Sequence, residues 1–181
     1  ESPCYDVEDT ATGGTMRKML TIFMLLLCAS AGIAEAEPRG KYPDPTLTPG
    51  AILPLDEKTV CVEGYAIKER KKNGPSAKDK CAVMKSYGID CKKDKPGEWQ
   101  VDHLYPIKLA GDAGAYENLW PQAWPFWKFK DSVEFELIDR ICRDKTMTLK
   151  EAQEVIRTDW YKFYLSMPEK EKKRHYDNKP K

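Results

Sequence analysis

Apolar positions recur at changing intervals along the chain, and those intervals predict its elements. Met19 to Leu27 is a nearly unbroken apolar run, followed by small residues ending Ala34-Glu35-Ala36. Residues 37–56 contain five prolines and predict an extended lead-in. Thr59 to Lys68 (TVCVEGYAIK) reads as a strand, with Gly64 permitting a bend. Arg70 to Asn73 is polar and basic and predicts a loop. Ser76 is placed to cap a short helix running to about Tyr87, and Gly88 would stop it. Lys92 to Gly97 predicts a turn. Glu98 to Leu109 predicts a strand interrupted at Pro106. Gly111 to Glu117 then reads as a turn segment, and Asn118 to Pro121 as a short return strand. From about Lys128 the period becomes helical, with Val133, Leu137, Ile138 and Ile141 on one face. Thr148-Leu149-Lys150-Glu151 has the pattern of a capping box. The helix behind it reaches about Leu165, with Ala152, Val155, Ile156 and Trp160 inward. From Pro168 the charge density predicts disorder.

The 181 residues suffice for one domain, but not all of them are expected in it. From Met16, a basic start (Arg17, Lys18), the apolar run and the small residues follow the order of a secretory signal peptide, cleaved after Ala36. The run falls short of the ~20 apolar residues of a spanning helix, so no stable membrane anchor is expected. The expected organisation is an upstream extension (1–15), a signal peptide (16–36), the lead-in (37–56), a domain (57–166) and a charged tail (167–181). Export would leave the protein periplasmic or secreted. Residues 37–181 hold 28 basic and 24 acidic side chains, a net +4 that permits a polyanionic partner without demanding one.

Four cysteines remain after Ala36: Cys61, Cys81, Cys91 and Cys142. An even number in an exported domain suggests two disulfides, with three pairings open. Cys81–Cys91 would close a short loop and leave Cys61–Cys142. A zinc site is the weaker alternative, because the chain has no C-x-x-C pair.

Of the two histidines, His175 sits in the charged tail and His103 in the foldable region, directly after Asp102. Neighbours on a strand point to opposite faces, so these two would each meet a different component of a site. A neutral imidazole can take a proton from water near neutral pH. A hard divalent ion can neutralise charge on a phosphoryl group, and one carboxylate with one amide oxygen can suffice to hold it. Asp102 and Asn118 offer those two groups, and the turn between them returns the chain toward the first strand.

The stretch VDHLYPIKLAGDAGAYENLWPQ resembles the HNH nuclease motif of the ββα-metal superfamily. The resemblance rests on Asp102, His103, Leu104, Pro106, Leu109, Gly111, Asn118, Leu119 and Pro121. With TPGAILP, TVCVEGY, Lys130-Asp131, Glu134 and TLKEAQEVIRTDW it extends over roughly residues 47–161 and is similar to an exported bacterial branch. It implies an α+β fold: a small ββα-metal core with an additional strand hairpin and flanking helices, stabilised by disulfides. It implies a metal-dependent endonuclease acting on DNA or RNA. His103 would be the general base, and Asp102 would bind Mg²⁺, Mn²⁺ or another divalent ion. Asn118 would ligate the ion or orient the base. The last histidine of a full motif has no counterpart, and Ile138 lies near its place. Glu134 is a candidate substitute ligand. The alternative is an inactive HNH-like scaffold that binds nucleic acid or protein. A toxin role would add an immunity protein as partner.

Lys128, Lys130 and Arg140 are candidate phosphate contacts, set against a plain solvated helix face. Trp124, Phe126 and Trp127 could stack on bases, but packing against the helix is the stronger expectation. Lys170 to Arg174 (KEKKR) could add non-specific DNA affinity or simply end the chain solubly.

Overall fold

The computed structural model describes residues 38–93 and 97–177. The expected upstream extension and signal peptide lie outside the described residues. None of the described helices is long and apolar enough to cross a membrane.

Among the described residues the chain is α+β, with one two-stranded antiparallel sheet and helices around it. The helices are α1 (Glu57–Val60), α2 (Tyr65–Asn73), α3 (Ala77–Ser86), α4 (Phe126–Ile138), α5 (Leu149–Ser166) and α6 (Glu169–Asp177). Strands β1 (Trp99–His103) and β2 (Leu119–Ala123) pair with Asp102 opposite Trp120 and His103 opposite Leu119.

The later half forms as its apolar period predicts. Val133, Leu137 and Ile141 are buried on α4 and the π-helical turn Asp139–Arg143 that extends it. Ala152, Ile156 and Trp160 meet them from α5. Thr148 and Glu151 make the capping box, each side chain bonding the other's backbone N–H. Burying an aliphatic or aromatic side chain of this size contributes about 1.5–3 kcal/mol.

Two regions depart from expectation, 59–73 and the tail. Thr59 to Lys68 is not a strand: α1 and α2 occupy it, so the described residues contain no additional strand hairpin. Asp56 caps α1 by accepting from Thr59 N–H at 2.9 Å, and Gly64 takes the left-handed φ of +73° that separates the two helices. The alternation that suggested a strand has no apolar surface to serve. Val60 is fully buried, but Val62 and Ile67 are 53% and 75% exposed. The basic segment Arg70 to Asn73, read as a loop, is likewise the end of α2. The second failure is the tail, where α6 forms although charge predicts disorder. Met167 is anchored in the core just before it, and Lys172 reaches both Glu169 and the Tyr164 ring.

The proline-rich lead-in is irregular, as expected, but closely attached. It is tied to the β1–β2 connection by Gly50 N–H to the Glu117 carbonyl, Leu53 N–H to the Ala110 carbonyl and Asp112 N–H to the Ala51 carbonyl. Thr48 is buried and donates to the Leu119 carbonyl, capping the end of β2.

Both disulfides form, Cys61–Cys142 and Cys81–Cys91, with sequence separations of 81 and 10. The first joins the end of α1, rather than a strand, to the turn after α4. Chain-entropy reasoning gives about 4.5 kcal/mol for the long loop and about 2.7 kcal/mol for the short one. Cys61→Ala/Cys142→Ala should therefore lower the urea midpoint more than Cys81→Ala/Cys91→Ala does. The reverse order would show that unfolded-chain entropy does not govern these crosslinks.

Candidate functional site

The 15 residues between the strands, 104–118, contain only two single-turn 3-10 helices, Ile107–Leu109 and Tyr116–Asn118, so side chains and caps must hold the rest. Asn118 does much of this. Its Oδ1 accepts from Tyr105 N–H at 2.9 Å, and its Nδ2 donates to the carbonyls of Tyr105 (3.0 Å) and Asp112 (2.9 Å). The residue is fully buried. Gly111 is required beside it, because a Cβ there would stand 1.8 Å from the Tyr105 carbonyl oxygen. Asp112 then folds the chain over: its Oδ1 accepts from the N–H groups of Gly114 and Ala115. This turn carries the Ala113 carbonyl to His103.

His103 Nε2 lies 3.0 Å from that carbonyl oxygen. A carbonyl can only accept, so Nε2 carries the hydrogen, and in the neutral ring Nδ1 keeps its lone pair. Burial lowers the imidazole's pKa. The bond to Ala113 and the charge of Asp102 partly oppose that, while Lys130 and Arg70 add to the lowering.

Asp102, on the opposite side of β1, meets a different element. Its Oδ2 accepts from Lys130 Nζ at 3.1 Å. The same ammonium donates to the His103 carbonyl at 2.7 Å and to Glu134 Oε1, one turn along α4. Lys130 is completely buried. Burial opposes its charge, but Asp102 and Glu134 outweigh burial and keep the ammonium protonated. The two carboxyls respond differently. Burial raises Asp102, but Lys130 and His103 bring it below its ordinary value. Burial, with Asp102 and Asp131 nearby, pushes Glu134 upward against the pull of Lys130.

Asp102 and His103 line one cleft of about 350 Å³ with Arg70, Pro75, Lys80 and Gln100. Arg70 and Lys80, absent from the sequence expectations, are therefore its basic walls. Their signal was the density of Lys and Arg in 68–85, which a loop assignment for Arg70 to Asn73 obscured.

The expected phosphate contacts lie elsewhere. Lys130 is sealed beneath the site. Lys128 stands 4.3 Å from the centre of the Trp124 ring. Arg140 pairs with Glu136 at 2.8 Å and lies over Phe163. Phe126 packs edge-on to Phe129 and Tyr161, whereas Trp124 is half exposed beside Trp127. Glu134, the candidate substitute ligand, is bound to Lys130.

Among the described residues, no group of three or more His, Cys, Asp and Glu is arranged to hold a metal ion. Comparison with family models, curated proteins and solved structures finds no match to this chain.

Removing the ammonium would leave two buried carboxyls without their shared partner. Lys130→Met should cost about 3–5 kcal/mol in urea unfolding; a loss under about 1 kcal/mol would show that the cluster does not hold β1 to α4. In the apo protein, the His103 ring protons should titrate below the ordinary histidine value of about 6.5. Since the folded pKa lies below the unfolded one, the unfolded chain takes up the proton first. The associated stability is present above about pH 6.5 and is lost as pH falls through the folded pKa. A midpoint at or above 6.5 by NMR would contradict the burial argument.

Proposed function

We propose that this chain is an exported endonuclease that hydrolyses phosphodiester bonds in DNA or RNA at the His103 cleft. The observation that carries the reading is the His103–Ala113 bond: in the neutral ring that burial favours, it fixes the tautomer whose Nδ1 can accept a proton, in a cleft walled by Arg70 and Lys80. The HNH-like ββα arrangement belongs to the same proposal. Its support is the order β1, ordered connection, β2, α4, with Asp102 and His103 at the end of the first strand. Two disulfides are compatible with export.

In this reading, His103 Nδ1 takes a proton from water. The oxygen of that water attacks the phosphorus, the P–O bond to one sugar breaks, and the leaving sugar oxygen takes a proton from solvent. Arg70 and Lys80 attract the phosphate and offset its charge. Ala113 keeps the ring from rotating. The lowered pKa keeps the base unprotonated at pH values where an ordinary histidine is charged.

A divalent ion would be held through Asp102, the carboxylate lining the cleft, whose Oδ2 already accepts from Lys130, and water and phosphate oxygens would supply the remaining ligands. Asn118 does not fit as a ligand, since its oxygen and amino group are engaged with backbone and it is fully buried. Its part is to hold the loop that orients the base. When bound, such an ion supplies Lewis-acid stabilisation of the phosphoryl oxygens.

Oxidised protein with supercoiled plasmid and Mg²⁺ or Mn²⁺ should yield nicked circles. His103→Ala should slow nicking by about 10²–10⁴-fold, the usual contribution of a general base. Absence of nicking with either ion would favour the inactive binding scaffold, and undiminished nicking by His103→Ala would remove His103 as the base.

A further inference from the structure

The positive charge is concentrated beside the cleft. Segment 65–86, which forms α2, the Gly74-Pro75 turn and α3, holds seven basic and two acidic residues. The rest of 37–181 holds 21 basic and 22 acidic, so this hairpin carries the whole excess. Lys68, Arg70, Lys71 and Lys72 lie on α2, all exposed. Lys78, Lys80 and Lys85 lie on α3, also exposed.

The two acids of the hairpin form no ion pair with these cations, though Asp79 feels the charge of Lys78. Glu69 accepts from Asn73, and Asp79 caps α3 through Ser76 and accepts from the Tyr116 hydroxyl at 2.7 Å. Three arginines outside the hairpin are compensated locally: Arg140 by Glu136, Arg143 by Asp139 and Arg157 by Glu154. Among the described residues, no ion pair includes a hairpin lysine or Arg70. Uncompensated charge this dense repels itself and costs stability unless a polyanion meets it.

We propose that the α2–α3 hairpin is the docking surface for a nucleic acid's phosphate backbone, delivering it to the cleft that Arg70 and Lys80 share with His103. This rests on the nuclease reading of that cleft. An anionic membrane is the poorer occupant. A helix lying in a lipid interface needs a continuous apolar face, and the apolar residues of α2 are confined to its first turn, Tyr65-Ala66-Ile67. Backbone contacts through lysines carry no base information, so binding should be indifferent to sequence.

The test measures binding separately from cleavage. Full-chain His103→Ala, oxidised, is titrated with a labelled 20-base-pair duplex at several salt concentrations. A second protein adds Lys68→Gln, Lys71→Gln, Lys72→Gln and Lys78→Gln, which lie outside the cleft and conserve helix propensity. A third instead adds Lys145→Gln, Lys150→Gln and Lys162→Gln, exposed positions away from the hairpin. The salt slope should fall by about 0.9 per lost phosphate contact in the hairpin variant, with affinity down at least about tenfold at 0.1 M salt. The third protein should match the parent.

An unchanged slope and affinity in the hairpin variant, its circular dichroism being native, overturns the docking surface even if the protein cleaves plasmid. Hairpin-dependent binding without cleavage by wild type upholds the surface and removes the nuclease reading. Binding to phosphatidylserine vesicles but not to duplex overturns the nucleic-acid assignment.

Discussion

The site depends on the buried Lys130 ammonium. It is the point at which β1 is fastened to α4, through the Asp102 carboxylate and the His103 carbonyl on the strand and Glu134 on the helix itself. Two of these bonds go to consecutive strand residues, so the strand end is fixed in rotation as well as position. An ammonium in a dry interior is tolerated only when its hydrogens are met and its charge is balanced, and here three acceptors do both. An apolar side chain in its place could pack α4 against β1 but could not specify where Asp102 and His103 point.

A second constraint acts from the other side of the strand. Asn118 closes the connection on Tyr105 and Asp112, Gly111 permits the close approach, and Asp112 turns the chain so that Ala113 meets His103. The imidazole is thereby held from a loop while the neighbouring carboxylate is held from a helix. This resolves the difficulty that adjacent strand residues face apart: they need not touch each other, because each is oriented by a different element and both open onto one cleft. Asn118 thus serves the site through backbone geometry.

What the sequence discloses follows the range of each interaction. The helices α4 and α5 were legible because Val133, Leu137 and Ile141 and then Ala152, Ile156 and Trp160 repeat at a helical interval, and because Thr148 and Glu151 announce their own cap. The strands on either side of the GDAG turn were legible locally too, although the first, expected to continue to Leu109, ends at His103 and a 3-10 turn occupies Ile107–Leu109. Thr59 to Lys68 was misread because alternation argues for a strand only where one face is buried, and nothing covers Val62 or Ile67. Asp56 and Gly64, both local, were the better evidence. The burial of Lys130 was not legible at all. A lysine on an amphipathic helix is ordinarily solvated, and only the tertiary arrangement of Asp102 against α4 reverses that.

The two treatments of cations in this fold explain each other. Lys130 is sealed, fully compensated and therefore structural; its charge is spent on Asp102, with Glu134 sharing its protons. The hairpin cations are exposed and form no ion pair among the described residues, and two of them, Arg70 and Lys80, line the cleft with Asp102. A phosphodiester approaching His103 therefore meets positive walls in Arg70 and Lys80, while the carboxylate nearest the base is already balanced from beneath. Were Lys130 absent, Asp102 would present its full charge to the cleft, opposing the attraction that Arg70 and Lys80 would exert on the proposed phosphate substrate. The buried cation thus permits a carboxylate to stand beside the base without repelling the anion on which that base is proposed to act.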